Sequence, residues 1–276
     1  YRMRNRFAKV VNLPELMTMY REVADVQTAD KLHLPVPQLK DNKYELIAAE
    51  PTEFIKQVMD DFVTRAERIR SGTVKSNEDN MLKITNEARL LGTDPRLIDP
   101  MADNDPDSKV NLCIKNVLNR YQESNDIKGC QVIFCDVGTP TAAGSGRFNL
   151  YGYIKHELIH QGIPEQEICF IHDANNDIQK EQMFAELRNG SKRIIIGSTA
   201  KMGVGTNIQA RLYWLHHLDC PYRPSDIEQR EGRILRHGNM GEEVGISRYV
   251  TKDTFDSYLW QLVENKQKFI SQVMRS

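Results

Sequence analysis

Ile194-Ile195-Ile196 and Val132-Ile133-Phe134-Cys135 are apolar at every position. A strand with one face in water alternates apolar and polar residues; a run without alternation is covered on both faces, as in the interior of a parallel sheet. Five such stretches predict strands over Gln131–Asp136, Glu167–His172, Arg193–Ser198, Leu212–Leu218 and Gly245–Val250. Helical spacing between them predicts helices over Leu150–His160, Ile178–Arg188 and Asp226–Arg236. A last helix is expected over Thr254–Val273, capped by Asp253, with Phe255, Tyr258, Leu259, Leu262, Val263, Phe269, Ile270 and Val273 on one stripe. Strand–helix alternation of this kind reads as an α/β fold with a mainly parallel sheet flanked by helices and right-handed crossovers. In such sheets chemistry gathers beyond the carboxyl ends of strands, so the loops after residues 136, 172, 198 and 218 become the places to search.

The chain before Gly129 has a different texture. Apolar residues three and four apart predict helices over Met17–Val26, Phe54–Ile69 and Val110–Tyr121, separated by turn-rich stretches around Leu34-Pro35-Val36-Pro37, Ser71-Gly72-Thr73 and Asp94 to Pro106. The expected division is a mostly helical region over 1–108 and the α/β unit over 109–276. With 276 residues, 40% hydrophobic and 27% charged, the chain is neither disordered nor short of core-forming side chains. No apolar run approaches the ~18 residues of a membrane span. Tyr1-Arg2-Met3-Arg4 lacks the apolar core of a signal peptide, and a start other than Met predicts a processed product or a fragment of something longer. The net charge of −1 excludes a globally basic nucleic-acid binder, so any such contact must be local. The five cysteines (113, 130, 135, 169 and 220) form no C-x-x-C pair and read as reduced, buried thiols of a cytoplasmic protein.

Three segments carry residue types suited to chemistry. His156-Glu157-Leu158-Ile159-His160 matches H-E-x-x-H, which on a helix offers two imidazoles to zinc and Glu157 as base, hence a metallopeptidase reading. Ile163 and Gln166 stand where the extended motif has Gly and His; Glu181 or Glu186 would have to supply the third ligand. No metal set is complete, and an ordinary surface helix explains the segment as well. The second segment, Gly197-Ser198-Thr199-Ala200-Lys201-Met202-Gly203-Val204-Gly205-Thr206-Asn207, follows the most apolar strand. Its glycines allow backbone N–H groups to approach an anion, although a plain glycine-rich turn has the same composition. No Walker A sequence occurs anywhere in the chain. In the third, Gln229-Arg230-Glu231-Gly232-Arg233-Ile234-Leu235-Arg236, Arg233 and Arg236 would share one helix face as a fork for phosphate oxygens, with Arg230 on another. A solvated helix with Glu228 and Glu231 pairing the arginines is the alternative.

The order of these pieces is more specific than any one of them. Ser198…Gly203-Val204-Gly205-Thr206-Asn207-Ile208, then Asp219-Cys220-Pro221-Tyr222-Arg223-Pro224, then Gln229…Arg233…Arg236-His237-Gly238-Asn239 resembles motifs V and VI of superfamily-two helicases, most of all the Swi/Snf-type translocases. Gln131 to Asp136 resembles motif IV, Tyr249 to Thr254 the closing strand and brace helix of that family, and Lys31–Pro37 its inter-lobe linker. Phe134 to Pro140, His216-His217-Leu218-Asp219 and Tyr258-Leu259-Trp260-Gln261 resemble helicase proteins of phages and conjugative elements that are often fused to methyltransferases; no D-P-P-Y or N-P-P-Y methylase signature is present. Lys201-Met202 stand where many relatives have two glycines, and Asn239 where Gln is usual.

The resemblance implies a RecA-like C-terminal lobe of an ATP-dependent DNA helicase or translocase. Its expected ligands are ATP and Mg2+, bound mainly by an N-terminal RecA-like lobe of the same parent protein. It implies Arg233 and Arg236 as arginine fingers, Gln229 ordering the phosphate side, and Gly203, Gly205 and Asn207 as the loop coupling nucleotide to track. Thr139, Ser198, Thr199 and Lys201 are the implied contacts to the DNA backbone, sequence-tolerant and weakened by salt. Without the phosphate loop of the other lobe, the isolated chain is expected to be inactive. A non-catalytic RecA-like assembly module would keep the same fold.

Overall fold

The computed structural model describes residues 12–24, 35–140, 146–202 and 207–275. A parallel sheet forms the middle layer. In chain order its members are β1 (Gln38–Leu39), β2 (Glu45–Ala49), β3 (Cys130–Phe134), β4 (Ile168–Phe170), β5 (Ile194–Gly197), β6 (Leu212–His217) and β7 (Glu243–Thr251). The spatial order is β1-β7-β6-β3-β5-β4, with β2 pairing the same strand β7 farther along. Every pairing is parallel.

The unalternating runs hide a period of two. Ile133, Ile194 and Ile196 face a core under helices α4 (Lys109–Glu123) and α5 (Leu150–His160), against Val110, Ile114, Val117, Leu150, Ile154 and Leu158. Val132, Phe134 and Ile195 face the opposite core, against Met183, Phe184 and Leu187 of α6 (Asp177–Asn189). Ile194, Ile195 and Ile196 are all 0% exposed, and complete burial of each such side chain is worth roughly 1.5–3 kcal/mol. This is the RecA-like, helix-flanked parallel sheet expected from the sequence.

The first segment contributes α1 (Leu13–Val23), α2 (Glu53–Arg70) and α3 (Met81–Thr93). Its helices α2 and α3 pack Ile55, Phe62, Ile84, Ala88 and Leu91 into a core of their own, closed by Phe255. It also supplies the two strands that line one side of β7. Between them the chain turns through Asp41 and Asn42 at φ 55° and 54°, a left-handed conformation those two residue types tolerate. Neither strand nor α3 was expected from the sequence. β1 is two residues long, and β2 has the short burial alternation of an edge, with Leu46 67% exposed.

Three further elements complete the frame: α7 (Thr199–Met202), α8 (Pro224–Glu231) and the C-terminal α9 (Phe255–Arg275). The start of α9 is one step later than expected: the Thr254 hydroxyl accepts from Asp256 N–H, while Asp253 sits in the left-handed region at φ 52°. Leu259, Trp260 and Val263 of α9 pack on Ile227 of α8 and Val250 of β7. All five thiols are free and buried. No helix among the described residues is long and apolar enough to cross a membrane.

Candidate functional site

β3 and β6 are neighbours with Phe134 opposite His217, and each carries an aspartate two residues beyond its end. Asp136 and Asp219 are thereby brought side by side at the carboxyl edge, and Asp136 N–H donates to Asp219 Oδ2 at 2.9 Å. Two carboxylates this close need cations. Arg230 from α8 donates through Nη2 to Asp136 Oδ2 (2.8 Å) and Asp219 Oδ1 (2.9 Å), and through Nη1 to the Asp219 carbonyl (2.9 Å). Arg89 from α3 donates to Asp219 Oδ2 at 2.7 Å and stacks over Tyr222. The third strand end enters through Thr199, whose N–H and hydroxyl both donate to Asp136 (2.6 and 2.9 Å) and whose hydroxyl accepts from Arg230 Nε at 2.8 Å.

Asp219 is 1% exposed. Burial works to raise its pKa, but Arg230 and Arg89 outweigh it and hold the carboxyl below the usual range. Arg230 is raised: its burial is outweighed by the same two aspartates.

The next residue on α8, Glu231, is also turned inward. It accepts from Tyr44 hydroxyl (3.0 Å), Arg248 (3.0 Å) and His217 Nε2 (3.2 Å). With His217 Nε2 donating, its Nδ1 is free to accept from Arg230 Nη1 at 3.4 Å. Glu231 therefore does not pair with Arg233 or Arg236. Gln229 on the same turn is exposed. Adjacent residues of one helix are thus divided between an inward clamp and an outward face.

With this geometry in view, comparison with known proteins is informative. Residues 115–238 match the family described as the helicase conserved C-terminal domain. The fold is shared with the crystal structure of the C-terminal part of the Fun30 ATPase domain: TM-score 0.58, 14% identity, 84% of this chain and 90% of that one. Over 96 residues the chain is 34% identical to Defense against restriction protein B of Escherichia phage P1; the match spans 35% of this chain and 4% of the phage protein.

Within the matched residues, the arginine-bearing segment departs from the expected helix Asp226–Arg236. α8 stops at Glu231, and Gly232 to Arg236 continue as tight turns through Arg233 N–H to the Arg230 carbonyl (3.1 Å) and Ile234 and Leu235 N–H to the Glu231 carbonyl (3.1 and 2.9 Å). Gly232 permits this: a Cβ there would stand 2.9 Å from the Glu228 carbonyl oxygen. Arg233 is half-buried, Arg236 exposed. Burial first, and then the nearby Arg236 guanidinium, pull the Arg233 pKa down. Two guanidiniums in mutual repulsion form a place where an anion is favoured.

The candidate loop residues are distributed unevenly. Gly203 and Gly205 lie outside the described residues, as do residues 31–34 of the Lys31–Pro37 stretch. Asn207 is exposed, and its carbonyl accepts from Arg188 Nη1 at 2.8 Å. Lys201 is exposed and Thr139 half-buried at the same edge. Thr199 needs correcting as a phosphate contact. It is 8% exposed, and its N–H and hydroxyl are committed to Asp136 and Arg230. Ser198 is buried to the same extent. Asn239, the departure from the usual Gln, donates to the Leu212 carbonyl at 2.9 Å and accepts from Gly241 N–H at 2.8 Å, fastening the turn to the start of β6.

The H-E-x-x-H segment does lie on a helix, with the His156 and His160 rings stacked 6.4 Å apart. It finds no third ligand. Glu181 pairs with Arg188 (2.6 Å), Glu186 with Lys192 (3.6 Å), and no group of three or more metal-ligating side chains occurs among the described residues.

Sequence reasoning missed Arg89 and the inward role of Arg230. The available signal was the aspartate standing at the same offset beyond two adjacent strands; a buried carboxylate beside a partly buried one demands cations, which composition cannot locate.

Proposed function

We propose that this chain is the C-terminal motor lobe of an ATP-dependent DNA helicase or translocase. It is inactive alone and completes a nucleotide site whose phosphate loop and magnesium-binding acids belong to the N-terminal lobe of the parent protein. The observation that carries the reading is the division of α8. Arg230 and Glu231 lock the helix to the sheet, and this leaves Gln229, Arg233 and Arg236 on the outward side. Arg236 is exposed and forms no ion pair with a described residue. Arg233 and Arg236 fit a triphosphate because both are cationic and burial, then the Arg236 charge, disfavour the charged form of Arg233, which an anion would restore; ATP is the substrate they would meet as charge builds on the γ-phosphate. Gln229 orders the phosphate side, and the segment Gly203, Gly205 and Asn207 links that site to the strand track. DNA is held by its backbone, through Thr139, Ser198 and Lys201 at the edge beyond β3 and β5. A mobile-element setting and a cytoplasmic location belong to the same reading, supported by the 34% identity over 96 residues to a phage protein.

The test is ATP turnover with and without DNA. The full-length parent is expected to show DNA-stimulated, salt-sensitive hydrolysis, and the 276-residue chain none. Robust DNA-stimulated hydrolysis by the isolated chain, or DNA binding by the parent that is indifferent to salt, would overturn the reading. An assembly module without catalysis predicts no turnover by the parent either.

A further inference from the structure

The cluster Asp136, Asp219, Arg230, Arg89 and Thr199 joins five separate pieces of chain: the loop after β3, the start of α7 after β5, the loop after β6, α3 and α8. Two of those pieces carry the candidate DNA contacts Thr139, Ser198 and Lys201. The residue at the centre, Arg230, lies next to Gln229 and three positions before Arg233. Its guanidinium uses all three nitrogens: Nε on Thr199, Nη2 on both aspartates, Nη1 on the Asp219 carbonyl. Any shift of the β3 or β5 loop against α8 must break a charge-assisted bond in a site 1% exposed, where unpaired charge is costly. The joint is consequently stiff. Asp136 is its one partly wetted carboxylate, with 23% of the side chain exposed.

We propose that Arg230 is a positioning residue that transmits the placement of the strand-end loops on DNA to the turn bearing Arg233 and Arg236. This rests on the motor reading above and goes beyond it. Arg230 touches neither nucleotide nor DNA; it sets the register between the two surfaces. Lysine retains the charge, but one ammonium cannot span Thr199, two carboxylates and a carbonyl in fixed geometry.

The experiment uses the full-length parent and measures ATP turnover at saturating DNA, the KM for ATP, the salt-matched Kd for duplex DNA, and the melting temperature. The variants are Arg230→Lys, Asp136→Asn and the pair together. Expected for each single change is a drop of about tenfold or more in DNA-saturated kcat, with KM and DNA Kd within about twofold of the starting protein. The double variant should be no worse than the worse single, because both changes cut one connection. A purely structural role lowers the melting temperature and leaves kcat in place, and that result overturns the proposal. Additive losses in the double variant also overturn it. If Arg230→Lys fails to fold, the more exposed Asp136→Asn decides by the same kcat criterion. Failure of the motor reading looks different: the unaltered parent then shows no DNA-stimulated turnover.

Discussion

Arg89 and Asp219, separated by 130 positions in the chain, meet at 2.7 Å. The contact fixes helix α3 of the first segment to the carboxyl edge of the sheet and gives the 1%-exposed aspartate its second cation. Arg89→Met leaves Asp219 with Arg230 as its sole cationic partner among the described residues. The 276-residue chain is expected to lose about 2–3 kcal/mol of stability, read as a lower urea midpoint. An unchanged midpoint would show that Arg230 alone neutralises the site.

Arg236 is exposed, so its removal should cost turnover and not fold. In the full-length parent, Arg236→Ala is expected to lower DNA-stimulated kcat by about 10³-fold while the melting temperature stays put. Arg236→Lys should recover little, since a point charge cannot reproduce the guanidinium fork. Wild-type turnover in Arg236→Ala would remove this residue from the nucleotide site.

Acid should weaken the fold well above the range of ordinary carboxylates. His216 lies between Tyr249 hydroxyl and Gln131 Oε1, both at 2.9 Å, and His217 between Glu231 and Arg230. Burial is the chief cause that lowers them, to about 3 and about 4. Unfolded, both titrate near 6.5, so the unfolded chain binds roughly two more protons between pH 6.5 and 4. The stability contributed by the neutral rings is complete above 6.5 and is lost as pH falls, at about 2 kcal/mol per pH unit. Urea titrations at pH 7, 6 and 5 measure the slope; a flat profile would mean that the rings are charged inside the fold.

Gly245 of β7 faces Trp214 of β6, and a Cβ at 245 would overlap the indole ring. Gly245→Ala is expected to cost about 3 kcal/mol through overpacking. The added change Trp214→Leu should recover part of that loss, giving a non-additive pair in equilibrium unfolding. Additive losses would show that the glycine serves something other than room for the ring.

The parallel sheet and its flanking helices were legible from residues alone because a both-face-buried strand must be apolar throughout. Ile194 to Ile196 and Val132 to Cys135 satisfy no other arrangement as well. The same holds for the boundaries of α5, where Asn149 accepts from Gly152 N–H at one end and Gly162 turns at φ 97° at the other, both local events. The ordered motifs between Ser198 and Asn239 likewise pointed to the helicase family whose model matches residues 115–238. Sequence did not reveal which way α8 presents its charges. Arg230, Arg233 and Arg236 are one residue type, yet Arg230 is clamped beneath the helix beside Glu231 and the other two stand beyond its end. That partition depends on Asp136, Asp219, Thr199, His217, Arg248 and Tyr44, which come together only through strand order. The edge strands β1 and β2 and the reach of Arg89 were hidden for the same reason: pairing and charge neutralisation are long-range, whereas periodicity is local.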